Sequence, residues 1–336
     1  MEIVSNAADM LNDSDGKLSK LAGELNYLEG RARHAWHYYQ EHWKIFLKLN
    51  PKPDTLEAAA IIEKIAWSAS NAGEFAEAIY FIESTLAVAE QELDSNRDRT
   101  ELLPQYISFA GIYRRAGDFD KAAELYATAI KLAEEQEVDD FTRAKLFISC
   151  AKFFSVRGAY EYALSYGKRA MEILARRRDF SPMMSARVLE IFIEYSLRKN
   201  LIPAALENSR KVAEIYETYY GKENPITAES YINIARALTA DKNFDEALTW
   251  LERSRKILED TCGQVHPATG KVYLCMAFTL YEKGEFTVAY DWLYKASVIC
   301  AQTFGQHHPY TIEVLSKIFD WQKKIVNFKV TPNDSG

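Results

Sequence analysis

The chain has 336 residues, 48% apolar and 26% charged, with a net charge of −7 at neutral pH. That length suffices for a large buried core, and the acidic balance argues against nucleic acid as the main partner. No run of about 18 apolar residues offers a membrane-spanning helix, so no membrane insertion is expected. Only 14 Gly and 9 Pro, in a chain rich in Ala, Glu, Leu, Lys and Tyr, favour helix over sheet. The opening "MEIVSNAADMLNDSDG" lacks the basic start and apolar core of a secretory signal. Cys150, Cys262, Cys275 and Cys300 form no CxxC pair, so free thiols in a reducing, cytoplasmic setting are expected.

In chain order, residues 1–17 are a polar segment expected to be a flexible tail. The stretch "LSKLAGELNYLEGRARHAWHYYQEHWKIFLKLNP" predicts a capping helix or helix pair over 18–56. A turn motif then recurs: "GEFAEAI" at Gly73, "GDFDKAA" at Gly117, "GAYEYAL" at Gly158, "KNLIPAAL" at Lys199, "KNFDEAL" at Lys242 and "GEFTVAY" at Gly284. The alanines that anchor it are Ala78, Ala122, Ala163, Ala205, Ala247 and Ala289, at spacings of 44, 41, 42, 42 and 42. A fixed period of this length marks a repeat array. Six helix pairs are predicted, at about 57–97, 101–138, 141–178, 183–221, 225–263 and 267–305. The fourth shows an extra residue near Lys199–Pro203, which leaves its register uncertain by one. A capping helix over 309–328 and a tail over 329–336 close the chain.

The fifth pair shows the pattern. Tyr231, Ile234, Ala235 and Leu238 make one helical stripe, and Phe244, Ala247, Leu248, Leu251 and Leu258 another. Small residues are needed where helix axes approach to about 8–10 Å. Ala110, Ala151, Ala235 and Ala277 supply them on first helices, and the motif alanines on second helices. Gly221, Gly263 and Gly305 end second helices, and Pro225, Pro267 and Pro309 start the next first helices. The expected architecture is all-α, a right-handed α-solenoid of stacked antiparallel helix pairs with about six units plus capping helices.

This pattern resembles the tetratricopeptide repeat, whose usual period is about 34 residues. A 42-residue period, "GKENPITAESYINIA", "GQVHPATGKVYLCMA" and "GQHHPYTIEVLSKIF" resemble the repeats of kinesin light chains and their relatives over 221–315. Over 57–220 the likeness is weaker, and no long heptad segment for a heavy chain is present. The resemblance implies a repeat class and not a motor subunit.

Motifs for chemistry are absent. There is no GxGxxG, GxxxxGK or GxSxG, so no catalytic residue, cofactor or enzyme activity is expected. His34, His37 and His42 lie on an aromatic cap helix without the further ligands a metal needs, so no metal is expected. His266, His307 and His308 sit at repeat junctions. The basic run "ARRRDF" at Ala175–Phe180 complements a helix C-terminus.

Function is therefore sought on the first helices, which line the concave side of a solenoid. One stripe there carries Lys145, Ile148, Lys152 and Ser155 in the third unit, and Glu229, Ile232, Arg236 and Thr239 in the fifth. Lys271, Leu274, Phe278 and Tyr281 carry it in the sixth. Arg114 and Trp67 extend it into the second and first. The stripe is more basic and aromatic than the acidic whole. The candidate peptide groove is thus Trp67, Arg114, Lys145, Lys152, Asn233, Arg236, Lys271, Phe278 and Tyr281. Resemblance to the light chains adds that Asn233 would contact the backbone of an extended peptide carrying acidic and aromatic residues. The carboxylate clamp of chaperone-binding repeats is not matched by Glu63, Trp67, Ile107 and Gly111.

The expected function is a non-enzymatic protein-interaction adaptor or scaffold that binds an acidic partner segment. The alternative is a regulatory subunit that holds a folded partner, an enzyme or a transcription regulator, through its N-terminal helices and repeats. Homo-oligomers through the end caps stay open.

Overall fold

The structure is a computed structural model that describes residues 13–28, 31–96, 99–176 and 182–330. Among them are fifteen α-helices and no strand. They are α1 (Lys17–Leu28), α2 (Ala32–Leu49), α3 (Thr55–Ala72), α4 (Phe75–Asn96), α5 (Leu103–Ala116), α6 (Phe119–Glu135), α7 (Asp140–Val156) and α8 (Tyr160–Arg176). Then come α9 (Pro182–Arg198), α10 (Ile202–Tyr220), α11 (Pro225–Ala240), α12 (Phe244–Cys262), α13 (Pro267–Lys283), α14 (Phe286–Phe304) and α15 (Pro309–Val330). They form an all-α solenoid of antiparallel helix pairs. Two compact bodies divide it, residues 1–188 and 189–336. No described helix is long and apolar enough to cross a membrane.

The turn inside each pair is built the same way six times. Its central residue has a positive φ: Gly73, Gly117, Gly158, Asn200, Lys242 and Gly284. The next backbone N–H reaches back five residues, as in Glu74 to the Ala69 carbonyl at 2.9 Å and Asn243 to the Leu238 carbonyl at 2.9 Å. This double-bonded cap satisfies carbonyls that the helix end would leave bare. Five residues after each positive-φ residue comes the anchoring alanine, at most 1% exposed. Asn200, and not Lys199, holds the fourth turn, so the fourth pair carries no extra residue. The sequence reading was off there because "KN" offers two residues for one left-handed position: Asn takes it at 200 and Lys at 242, each five residues before the anchoring alanine.

Pairs join through a second device in the body from 189 onward. Gly263 ends α12 with φ 87° and ψ 169°, a backbone region that only glycine occupies at little cost. Asn224, His266 and His308 then cap the next first helices: Oδ1 of Asn224 accepts from the Ile226 N–H at 2.9 Å, and Nδ1 of His266 and His308 from Ala268 and Tyr310 at 3.2 and 3.1 Å. Thr227 and Thr269 donate back to the Gly221 and Gly263 carbonyls, each at 2.8 Å. Above these joints the buried Tyr231 and Tyr273 donate to Glu217 and Glu259, each at 2.6 Å. Their rings pack on Trp250 and Trp292 at 5.2 and 5.0 Å. One repeat unit is thus written twice in side-chain detail, 42 residues apart.

In the first body α1 and α2 pair and lean on α3. A Cβ on Gly23 would stand 2.7 Å from the Tyr39 ring, so glycine sets how closely these helices approach. The expected tail does not extend to residue 17. Asp13 accepts from the Leu18 and Ser19 N–H groups at 3.1 and 2.8 Å and fixes the start of α1. Residues 1–12 and 331–336, assigned to tails, and Arg177 and Arg178 of the basic run lie outside the described residues.

Candidate functional site

First helices stack on one another as well as on their partners: α3 on α5 and α5 on α7 in the first body, α11 on α13 in the second. Each first helix therefore buries two stripes. Ile148, Ile232 and Leu274, expected on the groove stripe, are only 4%, 0% and 9% exposed. They are core, because this stacking covers the side of the helix that a single helical wheel leaves open.

In the first body the face converges on Glu63 of α3. Ser108 of α5 donates its hydroxyl to Glu63. Lys145 of α7 donates to Ser108 Oγ at 3.3 Å and lies 3.6 Å from the Glu63 carboxylate. Three consecutive first helices are tied by one acid, one hydroxyl and one base. Lys152, two turns beyond Lys145, is half-buried. Trp67 sits between repeats, with its ring 3.5 Å from the place a Cβ on Gly111 would take and the Arg115 guanidinium 5.5 Å above it. Arg115 is held in turn by Asn71 and by the Ser70 carbonyl at 3.1 Å. Arg114 points its Nε into a buried spot without a hydrogen-bond partner. Burial pushes the Tyr126 phenol up to about 12, and Arg114 pulls the other way.

In the second body Arg236 of α11 donates to Glu194 at 2.8 Å, and Arg198 approaches the other oxygen of the same carboxylate at 3.4 Å. Burial would raise the Glu194 carboxyl, but Arg236 and then Arg198 outweigh it and hold it below the ordinary value. Lys271 of α13 pairs with Glu229 of α11 at 3.4 Å, and the Thr239 and Thr279 hydroxyls meet at 2.8 Å. Asn233 stands half-buried on α11, one turn from both Glu229 and Arg236.

Two expectations change at this point. Lys145, Arg236 and Lys271 do not stand as free groove cations: each is paired with an acid of another first helix, one repeat away for Arg236 and Lys271 and two for Lys145. Phe278 and Tyr281 do not face an open groove. Trp321 of α15 stacks on Tyr281 at 4.2 Å and meets Phe278 edge-on at 5.5 Å, and Trp321 is itself 6% exposed. The capping helix occupies the place a ligand's aromatic would need. Nine residues were expected along one groove. The structure gathers Lys145 with Glu63, and Asn233 with Arg236 and Lys271, and gives Trp67, Phe278 and Tyr281 to packing between helices.

The face has hydrogen-bonding and ion-pairing capacity. Among the described residues no group of three or more His, Cys, Asp or Glu side chains could hold a metal ion, and His34 and His37 are exposed. Sequence reasoning missed Glu194, and it placed Glu229 on the groove stripe and Glu63 on the clamp face without pairing either with its base. The signal was present: in a 42-residue repeat, charges of opposite sign 42 positions apart are spatial neighbours, as Glu194 with Arg236 and Glu229 with Lys271.

Comparison with known proteins places this geometry. Sequence models of the tetratricopeptide repeat match residues 197–260 and 106–138. No curated protein matches the chain. A Rap protein complexed with competence and sporulation factor superposes with a TM-score of 0.62 at 14% identity, covering 82% of this chain and 73% of that one. The apo form of RapI gives 0.50 at 15% identity, covering 92% and 86%. Kinesin-light-chain TPR-like repeats from Podosopora anserina give 0.44 at 20% identity, covering 60% and 96%. At such identities the likeness concerns the fold. The repeated turn, the buried alanines and the family matches agree, and the chain carries tetratricopeptide repeats.

Proposed function

We propose that the chain is a non-enzymatic interaction scaffold that binds an extended segment of a partner protein along the first helices of the body from 189 onward. The observation that carries this reading is the Arg198–Glu194–Arg236 cluster beside Asn233. Two guanidiniums converge there on one carboxylate. An acidic side chain of the partner adds a second carboxylate to the two arginines, while the Asn233 amide offers both a donor and an acceptor to a peptide backbone. Such a segment pays its ordering entropy on binding, so affinity rests on a few well-placed polar contacts. The Rap structure that this fold resembles holds competence and sporulation factor, which supports a ligand-binding role for the architecture.

The test is affinity capture from native extract with wild type beside Asn233→Ala/Arg198→Gln. Both residues lie off the core, so melting temperatures should agree within a few degrees. A partner captured by wild type and reduced tenfold or more by the variant supports the reading. Equal capture by both refutes it.

A second reading has its own observation. On α1 and α2, Leu21, Tyr27, Leu28, Leu47 and Leu49 are 39–56% exposed, an apolar surface suited to a folded partner. Tyr27→Ser/Leu49→Ser would then abolish capture that Asn233→Ala/Arg198→Gln leaves intact.

A further inference from the structure

The described residues of the first body line a half-open cavity of about 290 Å³ away from the first-helix face, between α6 and α8 and the start of α7. Half of its lining is apolar, supplied by Ile130, Leu146, Phe147 and Ile173 among others. Its rim carries Arg143 of α7 and Arg169 and Arg176 of α8, with Glu134 and Glu172 also present. Arg169 and Arg176 are seven residues apart, so they point the same way from α8. The Arg169 guanidinium carbon sits over Phe147, 4.1 Å from the ring centroid, and Tyr166 lies 5.5 Å away on its own helix.

The arginines are unusual in what they lack. Glu172 is three residues from Arg169 and four from Arg176, the spacings at which helical ion pairs form. Elsewhere in the chain such spacings do pair, as in Arg255 with Glu252 and Glu259 at 2.5 and 2.6 Å. Among the described residues none of the three cavity guanidiniums makes an ion pair or hydrogen bond. The cation–π contact with Phe147 positions the Arg169 guanidinium and uses none of its N–H donors. A guanidinium preset in this way loses little entropy on gripping a carboxylate with two parallel hydrogen bonds.

We infer that this cavity binds a carboxylate carried on an apolar body about the size of one aromatic residue. The apolar part fills the space against Leu146, Phe147 and Ile173. The carboxylate meets Arg169 and Arg176, and Arg143 closes the third side. The volume sits at the small end of ligand pockets, which run from about 300 Å³ upward, so one ring and one acid group are what it holds. A free organic acid and the C-terminal residue of a partner chain share this chemistry.

The probes are N-acetyl-phenylalanine, its amide, and a tetrapeptide ending in phenylalanine with a free carboxylate. Binding is followed by saturation-transfer NMR on the full chain, with wild type, Arg169→Gln and Arg176→Gln. For a ligand of this size the expected Kd for the acid is on the order of 1 mM. The amide and each arginine variant should bind at least tenfold more weakly. A tetrapeptide that binds tighter than the free acid assigns the cavity to a chain terminus, and one that binds no better assigns it to a small acid. No binding of either acid by wild type overturns the inference. So does equal binding of acid and amide, or undiminished binding in both arginine variants. Circular dichroism of the two variants guards against unfolding, and because they change separate exposed side chains, one folded variant is enough to decide.

Discussion

The ion pair between Glu194 and Arg236 decides whether the first-helix face is structural or free for a ligand, and a double-mutant cycle measures it. The nitrogen lies 2.8 Å from the oxygen, and the two side chains are 32% and 23% exposed. At that distance Coulomb's law with an effective dielectric of 20 gives a gross attraction of about 6 kcal/mol. Desolvation of both ions cancels most of it. Fully exposed pairs retain about 0.2–1 kcal/mol, and removal of one partner from a fully buried pair costs about 3–5 kcal/mol. A pair one-quarter to one-third exposed falls between, so the coupling should be about 1.5 kcal/mol. Glu194→Gln, Arg236→Met and the double variant keep side-chain volume close to native. Urea unfolding of the four proteins, followed by tryptophan fluorescence, yields the coupling from their midpoints. Arg198 remains beside residue 194 in every variant and cancels in the cycle. A coupling under about 0.3 kcal/mol would refute the reasoning: Arg236 would then be available to a partner at no structural cost. The predicted value means instead that charge reversal at 236 damages the stack itself and is a poor probe of binding.

The same pair sets a pH dependence. Glu194 has its folded pKa held below the ordinary 4.5, so it adds stability that is fully present above that value. This contribution is lost as pH falls through the depressed folded value. Wild type should lose an increment of stability below about pH 4.5 that Glu194→Gln lacks, as urea midpoints across pH 3–7 would show. Tyr231→Phe and Tyr273→Phe each remove a hydroxyl that donates to a carboxylate at 2.6 Å. Each should cost about 1.5–2 kcal/mol, and near-equal losses are expected because the two sites repeat. Lys242→Gly relieves a left-handed lysine with φ 62° and should raise the melting temperature, a gain of about 0.5–1 kcal/mol. Gly263→Ala should do the reverse by about 1–3 kcal/mol. A Cβ there meets nothing within 4 Å, so the cost is backbone strain alone.

The fold was legible because its information is local and repeated. A turn residue, an alanine five positions on, and a Gly–Pro junction recur at one period, and each has a local reason: a left-handed cap, a close helix approach, a helix start. The face was legible only in part because contacts there are made at the period and not within one helix. A single wheel assigned Ile232 to an open stripe, yet stacking of α11 on α13 buries it completely. Phe278 and Tyr281 looked like ligand aromatics until Trp321, some 40 residues later in the chain, was seen to seal them. The basic stripe looked free because its acids lie one or two repeats away. Reading charges at i and i+42 recovers Glu194 with Arg236 and Glu229 with Lys271 from sequence alone. That rule also carries a consequence for the site. In a solenoid whose first-helix charges pair between repeats, a cation is open to a partner only where the count of acids and bases fails to balance. Arg198 and Arg236 converge on the carboxylate of Glu194, where the proposed partner acid would join them. Arg169, set over Phe147 with no acid paired to it among the described residues, is a place where the count does not balance.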